Sequence, residues 1–225
     1  MVFKLTALRQ FDTVRLIPSR FAEREDSVLS PLAETDADLR DLFDLDNATS
    51  NRRRGETGGL PGIGVQELVF GVPNYRMINA AFAYTRPEGS RFNQSDRGAW
   101  YCAFENETAL AEIIFHKTVE YQEINRFDDS VSYQAMLADF NSTFHDLRGM
   151  RGKAKYLNPH SYVESQALAQ ALLDEGSMGI LYPSVRRKDG NCLACFRPAL
   201  VGNVRKGQAY RLTWTGSPNP VVETE

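Results

Sequence analysis

The chain has no basic excess, since its 225 residues include 26 Lys and Arg against 29 Asp and Glu, for a net charge of -3 at pH 7. Proteins that bind nucleic acids or anionic membranes generally carry such an excess, so the charge balance argues against both classes. No apolar run approaches the length of a membrane-spanning helix, and the first residues, MVFKLTALRQF, lack the apolar core of a secretory signal. We therefore expect no membrane partner and no direct contact with nucleic acid.

Cysteine is also scarce, with Cys102, Cys192 and Cys195 as the whole complement. A small, odd number of cysteines in a chain of this size is typical of reduced thiols in a cytoplasmic protein. Cys192 and Cys195 have the spacing of a redox or zinc motif, but the sequence has no second pair. Residues three apart in a strand point to opposite faces, so we interpret both as small apolar strand residues and predict no metal site.

The common catalytic motifs are missing. The chain contains no GxSxG elbow, no Walker loop and no HExxH helix, so the hydrolases, nucleotide triphosphatases and zinc proteases that use them have no support. It also lacks the GxGxxG fingerprint of dinucleotide-binding Rossmann folds. Any function must therefore be sought in residues outside these patterns.

What is present is an alternation of short strands with a few helices, which predicts an α+β fold. The strand segments are rich in aromatic and β-branched residues, and RKDGN reads as a hairpin turn. These segments are FDTVRLIP (11–18, ended by Pro18), AWYCAF, VSYQAML, MGILYPSV, CLACFRPALV and AYRLTWTG.

Helix signals are fewer, and each is a capping residue followed by apolar positions at helical spacing. They are Ser30 with Pro31, Asn106 or Thr108 before a helix at about 108–119, and Ser161 before a helix that runs through Leu173 to Gly176. The polar stretch at 47–64 contains five glycines and predicts a flexible loop, whereas 66–86 mixes strand and loop signals around Pro73.

Glu112 stands out within the second helix because it lies between Ala111 and Ile113 in TALAEIIF. A carboxylate beside a buried stripe costs free energy unless it is paired or used. The periodicity alone leaves two interpretations open, a catalytic carboxylate or a glutamate at the edge of the stripe. His116 could act as a base, although its surroundings favour a structural edge residue, and the basic clusters at 52–54 and 186–188 favour solvated turns over a phosphate or RNA contact.

Several fragments together resemble the RES-domain family, which is named for an arginine, a glutamate and a serine. They are VRLIPS with Arg15, GSRFN with Arg91, GAWYCAFENETALAEI with Tyr101 and Glu112, and GILYPSVR with Ser184, supported by LFDLDNATSNR, FHDLRG and SYVESQALAQAL. The resemblance covers most of residues 11–215. One departure is Leu16, which follows the first arginine where shorter members often have a tyrosine.

The resemblance implies a fold similar to that of the ADP-ribosyltransferase toxins, in which short mixed β-sheets and flanking helices form an NAD cleft. It implies a single domain over 1–225, similar to the longer branch of the family, with an extra helical and loop segment at about 24–88. It also implies a bacterial toxin that consumes NAD⁺ as a substrate, without a further cofactor, and an Xre-like antitoxin that binds the cleft and DNA.

The site residues that the resemblance assigns suit this chemistry. Glu112 would stabilise the cationic ribose that forms when the nicotinamide bond breaks, and Arg15 and Arg91 would hold the pyrophosphate or ribose. Tyr101 would stack on nicotinamide, and Ser184 would donate a hydrogen bond to NAD⁺. The expected reaction is phosphorolysis or hydrolysis of NAD⁺; transfer of ADP-ribose to a host protein is the alternative, and a non-catalytic or RNA-binding module is a weaker one.

Overall fold

A computed structural model describes residues 3–22, 52, 55, 58–60 and 62–225. Within these residues, seven strands form one sheet in the order β1-β2-β5-β4-β3-β6-β7. The strands are β1 (Lys4–Pro18), β2 (Trp100–Ala103), β3 (Asp128–Asp146), β4 (Gly179–Pro183), β5 (Asn191–Cys195), β6 (Gly202–Thr215) and β7 (Val221–Thr224). The predicted α+β class is confirmed, but the sheet is a single one, and three of its strands are long.

The long strand β3 organises the sheet because it pairs with three other strands. One edge runs antiparallel to β1, from Lys4↔Asp146 to Pro18↔Tyr133. The other edge pairs first with β6 and then, at His145 and Asp146, in parallel with β4. Since β1 also pairs with β2 at Val14↔Ala103, the pairings among β1, β2, β5, β4 and β3 form a closed circuit.

Each face of this sheet carries its own apolar cluster, as the alternation of side chains along a strand requires. In β4, Ile180 belongs to the first cluster and Leu181 to the second. In β5, Cys192 and Cys195 lie in different clusters, as the sequence predicted from their spacing. All three cysteines are buried and carry free thiols.

Helices α1 (Tyr75–Ala83), α2 (Asn106–Glu123) and α3 (Val163–Asp174) cover the two faces. Helix α1 packs Ile78 and Phe82 into the second cluster, whereas α2 and α3 pack Ala109 and Leu168 into the first. The cleft described below opens on the first face.

The helix limits correct several predictions. Helix α1 lies within the stretch at 66–86, which showed only strand and loop signals, and it forms because Ile78 and Phe82 bury one short face. Helix α2 begins at Asn106 after Glu105 and has no side-chain cap, and α3 follows Tyr162 rather than Ser161. Gly176 lies just past α3 with a φ of 83°, as a helix end requires.

Parts of the predicted organisation fall outside the described residues. These are the helix start at Ser30–Pro31, most of the loop at 47–64 and much of the extra segment at 24–88. Among the helices that the structure describes, none is both long and apolar enough to cross a membrane.

Candidate active site

A cavity of ≈ 660 Å³ opens between the first face of the sheet, α2 and the chain that precedes α3. This size falls within the range of about 300–1,000 Å³ that is usual for small-molecule sites. Four of the five predicted site residues line it, namely Arg15, Arg91, Tyr101 and Glu112. The fifth, Ser184, lies directly behind Glu112.

Glu112 is half-buried on α2, and its position depends on the turn after β4. The hydroxyl of Ser184 donates a hydrogen bond of 2.7 Å to Oε1 of Glu112. The same hydroxyl accepts hydrogen bonds from the backbone N–H groups of Arg186 and Arg187, both at 3.1 Å. Because its oxygen is occupied by two donors, the hydroxyl hydrogen is directed at the carboxylate, and Glu112 is held at one wall of the cavity.

Arg91 provides a buried cation in the same cavity, since only 7% of it is exposed. Its Nη1 donates a hydrogen bond of 2.8 Å to the carbonyl oxygen of Asn158, and its guanidinium lies 4.8 Å from the centre of the Tyr162 ring. Within the described ranges, Arg91 forms no ion pair with a carboxylate. A buried cation without a charged partner is costly, so the site is suited to receive an anionic ligand.

The loop that carries Arg91 is fixed by glycine geometry and by Tyr101. Gly89 has a φ of 73°, and a Cβ there would collide with the carbonyl oxygen of Asn93. The hydroxyl of Tyr101 accepts a hydrogen bond of 2.8 Å from the N–H of Phe92 and donates one of 2.8 Å to Oδ1 of Asn93. Burial raises the pKa of this hydroxyl, which therefore stays neutral. Tyr101 thus presents its ring to the cavity while its hydroxyl anchors the loop.

Arg15 reaches the cavity wall in a different way. Its Nη1 donates a hydrogen bond of 3.2 Å to the carbonyl oxygen of Tyr101, and its guanidinium lies 5.1 Å from the centre of the Trp100 ring. Trp100 belongs to the second cluster, on the opposite face from the cleft. Burial lowers the pKa of Arg15, but not enough to neutralise an arginine. Arg15 therefore braces β2 at the back of Tyr101 as well as bordering the cavity.

His116 and the pair of Arg86 with Glu120 also line the cavity. The sequence raised His116 as a possible base but favoured a structural role for it, and it gave no role to Arg86 or Glu120. Burial and the neighbouring arginines lower the pKa of His116 to about 4, so the imidazole is neutral at pH 7. Arg86 binds Glu120 at 2.8 Å. Helical spacing could have indicated that His116 and Glu120 belong to the site, because they follow Glu112 at four-residue intervals and so share one face of α2.

The remaining sequence candidates among the described residues do not form further sites, and residues 53 and 54 of the basic cluster at 52–54 lie outside those residues. Among the described residues, no group of His, Cys, Asp or Glu could hold a metal ion. Burial raises the pKa of the Cys102 and Cys195 thiols to about 12, so neither is a thiolate nucleophile at neutral pH. Arg187 binds Oγ1 of Thr108 at 3.2 Å and lies 3.8 Å from Glu105, which makes it a surface contact.

The cavity therefore combines an oriented carboxylate, an aromatic ring and a buried guanidinium that has no ion-pair partner among the described residues. A guanidinium can bind phosphate or a carboxylate, an aromatic ring can stack on a heterocycle, and a fixed carboxylate can stabilise a developing cation. Together these groups fit a ligand that carries an anion, a planar ring and a centre that becomes positive in the reaction.

Comparison with known proteins shows similarity to a family model, to a relative and to a solved structure. The RES domain family model matches residues 68–215, a range that contains Arg91, Tyr101, Glu112 and Ser184 but not Arg15. The uncharacterized protein y4oC of Sinorhizobium fredii is 27% identical over 203 residues, which cover 90% of this chain and 83% of that protein.

The chain is also similar to a chain in the crystal structure of the M. tuberculosis MbcT–MbcA toxin–antitoxin complex. It is 16% identical and has a TM-score of 0.42, and the match covers 57% of this chain and 74% of that chain. A TM-score of this size does not establish a common fold. The likeness to ADP-ribosyltransferases therefore stays a prediction.

Proposed function

The chain belongs to the RES domain family, and on this premise we propose that it is a toxin enzyme that cleaves the nicotinamide–ribose bond of NAD⁺. The observation that carries the proposal is Glu112, whose carboxylate is held by Ser184 in the wall of a cavity that also contains the buried Arg91. NAD⁺ has the three features that this cavity suits: a pyrophosphate, a planar nicotinamide ring and a ribose that becomes cationic when the bond breaks.

In the proposed reaction, nicotinamide leaves with the electron pair of its bond to C1′ of the ribose. The ribose becomes an oxocarbenium-like cation, as in glycoside cleavage, and Glu112 stabilises it because the carboxylate lies nearby and is already oriented. An oxygen of phosphate or water then bonds to C1′, and the acceptor gives up its proton. Removal of such an electrostatic contact commonly lowers a rate by about a hundredfold or more.

The other residues bind and orient NAD⁺ in this proposal. Arg91 holds the pyrophosphate, because its guanidinium has further N–H donors besides the one that binds the carbonyl oxygen of Asn158. The ring of Tyr101 stacks on nicotinamide, and Ser184 acts through Glu112. Arg15 supports β2 and contributes positive charge at the edge of the cleft.

The acceptor is tested by incubating the purified protein with NAD⁺, with and without inorganic phosphate, and separating the products by chromatography. Loss of NAD⁺ only with phosphate identifies phosphorolysis, and loss without phosphate identifies hydrolysis. If NAD⁺ is consumed only after cell extract is added, and a protein band becomes labelled, the activity is ADP-ribosyl transfer. Absence of turnover under all three conditions would contradict the proposed enzyme and favour a binding module.

A toxin that depletes NAD⁺ requires an inhibitor in the cell that makes it, and we propose an Xre-like antitoxin that occupies the cleft and provides any contact with DNA. A carboxylate of this partner could pair with Arg91 in place of pyrophosphate. We expect the partner and NAD⁺ to exclude each other, and expression of this chain alone to stop growth as NAD⁺ falls. A partner affinity that does not change at saturating NAD⁺ would contradict this mode of inhibition.

A further inference from the structure

Arg186 is not the solvated turn residue that its basic cluster suggests. Its guanidinium carbon lies over the Phe115 ring, 3.3 Å from the ring centre, a cation–π contact that arginine makes more often than lysine. Its Nη2 donates a hydrogen bond of 2.9 Å to the carbonyl oxygen of Pro159. One side chain in the turn after β4 therefore contacts both α2 and the segment that precedes α3.

Both of these contacts lead to a predicted site residue. Phe115 follows Glu112 by three positions on α2, so the two residues are neighbours on the helix surface. Pro159 follows Asn158, whose carbonyl oxygen accepts the hydrogen bond from Arg91. In addition, the backbone N–H of Arg186 donates to Ser184, which holds Glu112.

We propose that Arg186 is a positioning residue that fixes Glu112 and Arg91 relative to each other across the cleft. The proposal rests on the proposed function, because it assigns to Arg186 the geometry that cleavage of NAD⁺ requires. Arg186 is not among the residues that line the cavity, so it acts through its neighbours rather than by contact with the substrate.

The energetics of Arg186 favour this role over one in stability alone. Burial lowers the pKa of Arg186, while the nearby Glu112 raises it, so the guanidinium stays charged at the cost of partial desolvation. Its Nε is buried and has no hydrogen-bond partner among the described residues. A buried donor left unpaired is destabilising, which indicates that the contact is retained for the arrangement of the cleft.

The neighbouring Arg187 provides a matched control. Its backbone N–H also donates to Ser184, but its side chain binds Thr108 near Glu105 instead of spanning the cleft. Substitution of either arginine by glutamine leaves the backbone contacts to Ser184 in place. We expect Arg186→Gln to lower kcat by about tenfold or more, since small displacements of reacting groups are costly, and Arg187→Gln to change kcat by less than about twofold.

A double substitution separates positioning from direct contact with NAD⁺. If Arg186 acts through Glu112, Arg186→Gln should have no further effect on kcat in a protein that already carries Glu112→Gln. If the two losses multiply, Arg186 acts independently of Glu112 and the proposal is wrong. Equal kcat values for Arg186→Gln and Arg187→Gln would also overturn it.

Amide hydrogen exchange tests the same contacts without reference to activity. We expect Arg186→Gln to speed exchange both in the turn at 184–190 and at 158–162, and Arg187→Gln to leave 158–162 unchanged. Unchanged exchange at 158–162 in Arg186→Gln would show that the side chain does not hold this segment. If the wild-type protein does not consume NAD⁺, the proposed function fails, while this measurement still decides whether Arg186 links the two walls.

Discussion

Trp100 and Tyr101 are neighbours in β2, yet they belong to opposite faces of the sheet. Trp100 is 1% exposed and packs into the second cluster with Phe82 and Phe144. Tyr101 faces the cleft, where its hydroxyl is committed to the loop of Arg91. The second face is packed mainly with apolar side chains, whereas the first face surrounds the cavity that Arg91 and Glu112 line.

This difference indicates how the molecule divides stability from chemistry. Burial of apolar area on the second face provides stability, and the buried amide of Asn79 on that face is paired with the backbone of Val69. The first face holds a carboxylate and a buried cation, both of which cost free energy. Such costly groups are typical of functional sites. Substitutions on the second face should therefore lower the free energy of unfolding, whereas substitutions of the charged residues on the first face should lower activity with little change in stability.

The largest effect is expected on the second face. Phe144→Ala removes a ring that is 0% exposed and leaves a cavity beside Phe140. We expect the free energy of unfolding to fall by about 3–5 kcal/mol, as for other buried phenylalanines. Urea unfolding monitored by tryptophan fluorescence measures this change. A loss below about 1 kcal/mol would show that this face is not the stabilising one.

Glu112→Gln should have the opposite signature. Glutamine keeps an oxygen that can accept from Ser184 but loses the charge, so we expect turnover of NAD⁺ to fall by about a hundredfold, or about 2.7 kcal/mol, with little change in unfolding. Glu107→Gln is the control, because Glu107 is exposed on the same helix and does not line the cavity. Equal rates in the two variants would remove Glu112 from the reaction.

The two predicted arginines should differ from each other. Arg91→Lys replaces a buried fork with a point charge, and we expect kcat/KM to fall by about tenfold, or about 1.4 kcal/mol. Arg15→Lys should lower it by less, because Arg15 is already bound to the Tyr101 carbonyl oxygen and the Trp100 ring. Steady-state kinetics compare them, and a larger effect at Arg15 would reverse the assigned roles.

Tyr101→Phe should have the smallest effect. The ring stays in the cavity, but the N–H of Phe92 loses its acceptor, which should cost about 1 kcal/mol of folding free energy. We also expect a modest rise in KM for NAD⁺, since the loop of Arg91 is less firmly held. Urea unfolding and kinetics together check both effects. An unchanged free energy of unfolding would show that the hydroxyl does not anchor the loop.

Short-range patterns predicted the parts of the fold that local sequence specifies. The aromatic and apolar residues of β2 and the hairpin of β4 and β5 were predicted correctly, as was the end of β1 at Pro18. The full length of β3 was not, because Asp139, Asn141 and Ser142 look like loop residues. Asp139 is tolerated there because Arg205 binds it at 3.2 Å from a neighbouring strand.

In the candidate site, too, some features could be predicted from the sequence, whereas those that depend on contacts between distant residues could not. The resemblance brought together Arg91, Tyr101 and Glu112, which the structure places around one cavity. It did not indicate that Ser184 contacts Glu112 rather than lining the cavity, nor that the guanidinium of Arg15 lies against Trp100. These contacts join residues far apart in sequence, and periodicity along the chain carries no information about them.

The central claim is that this cleft breaks one particular bond of NAD⁺, and NAD⁺ labelled in the nicotinamide ring tests it most directly. The purified wild-type protein should release labelled free nicotinamide in amounts that exceed the enzyme, while Glu112→Gln releases it about a hundredfold more slowly. Intact NAD⁺ after prolonged incubation with each acceptor would contradict the account. So would label that appears in nicotinamide mononucleotide, since the bond broken would then be the pyrophosphate.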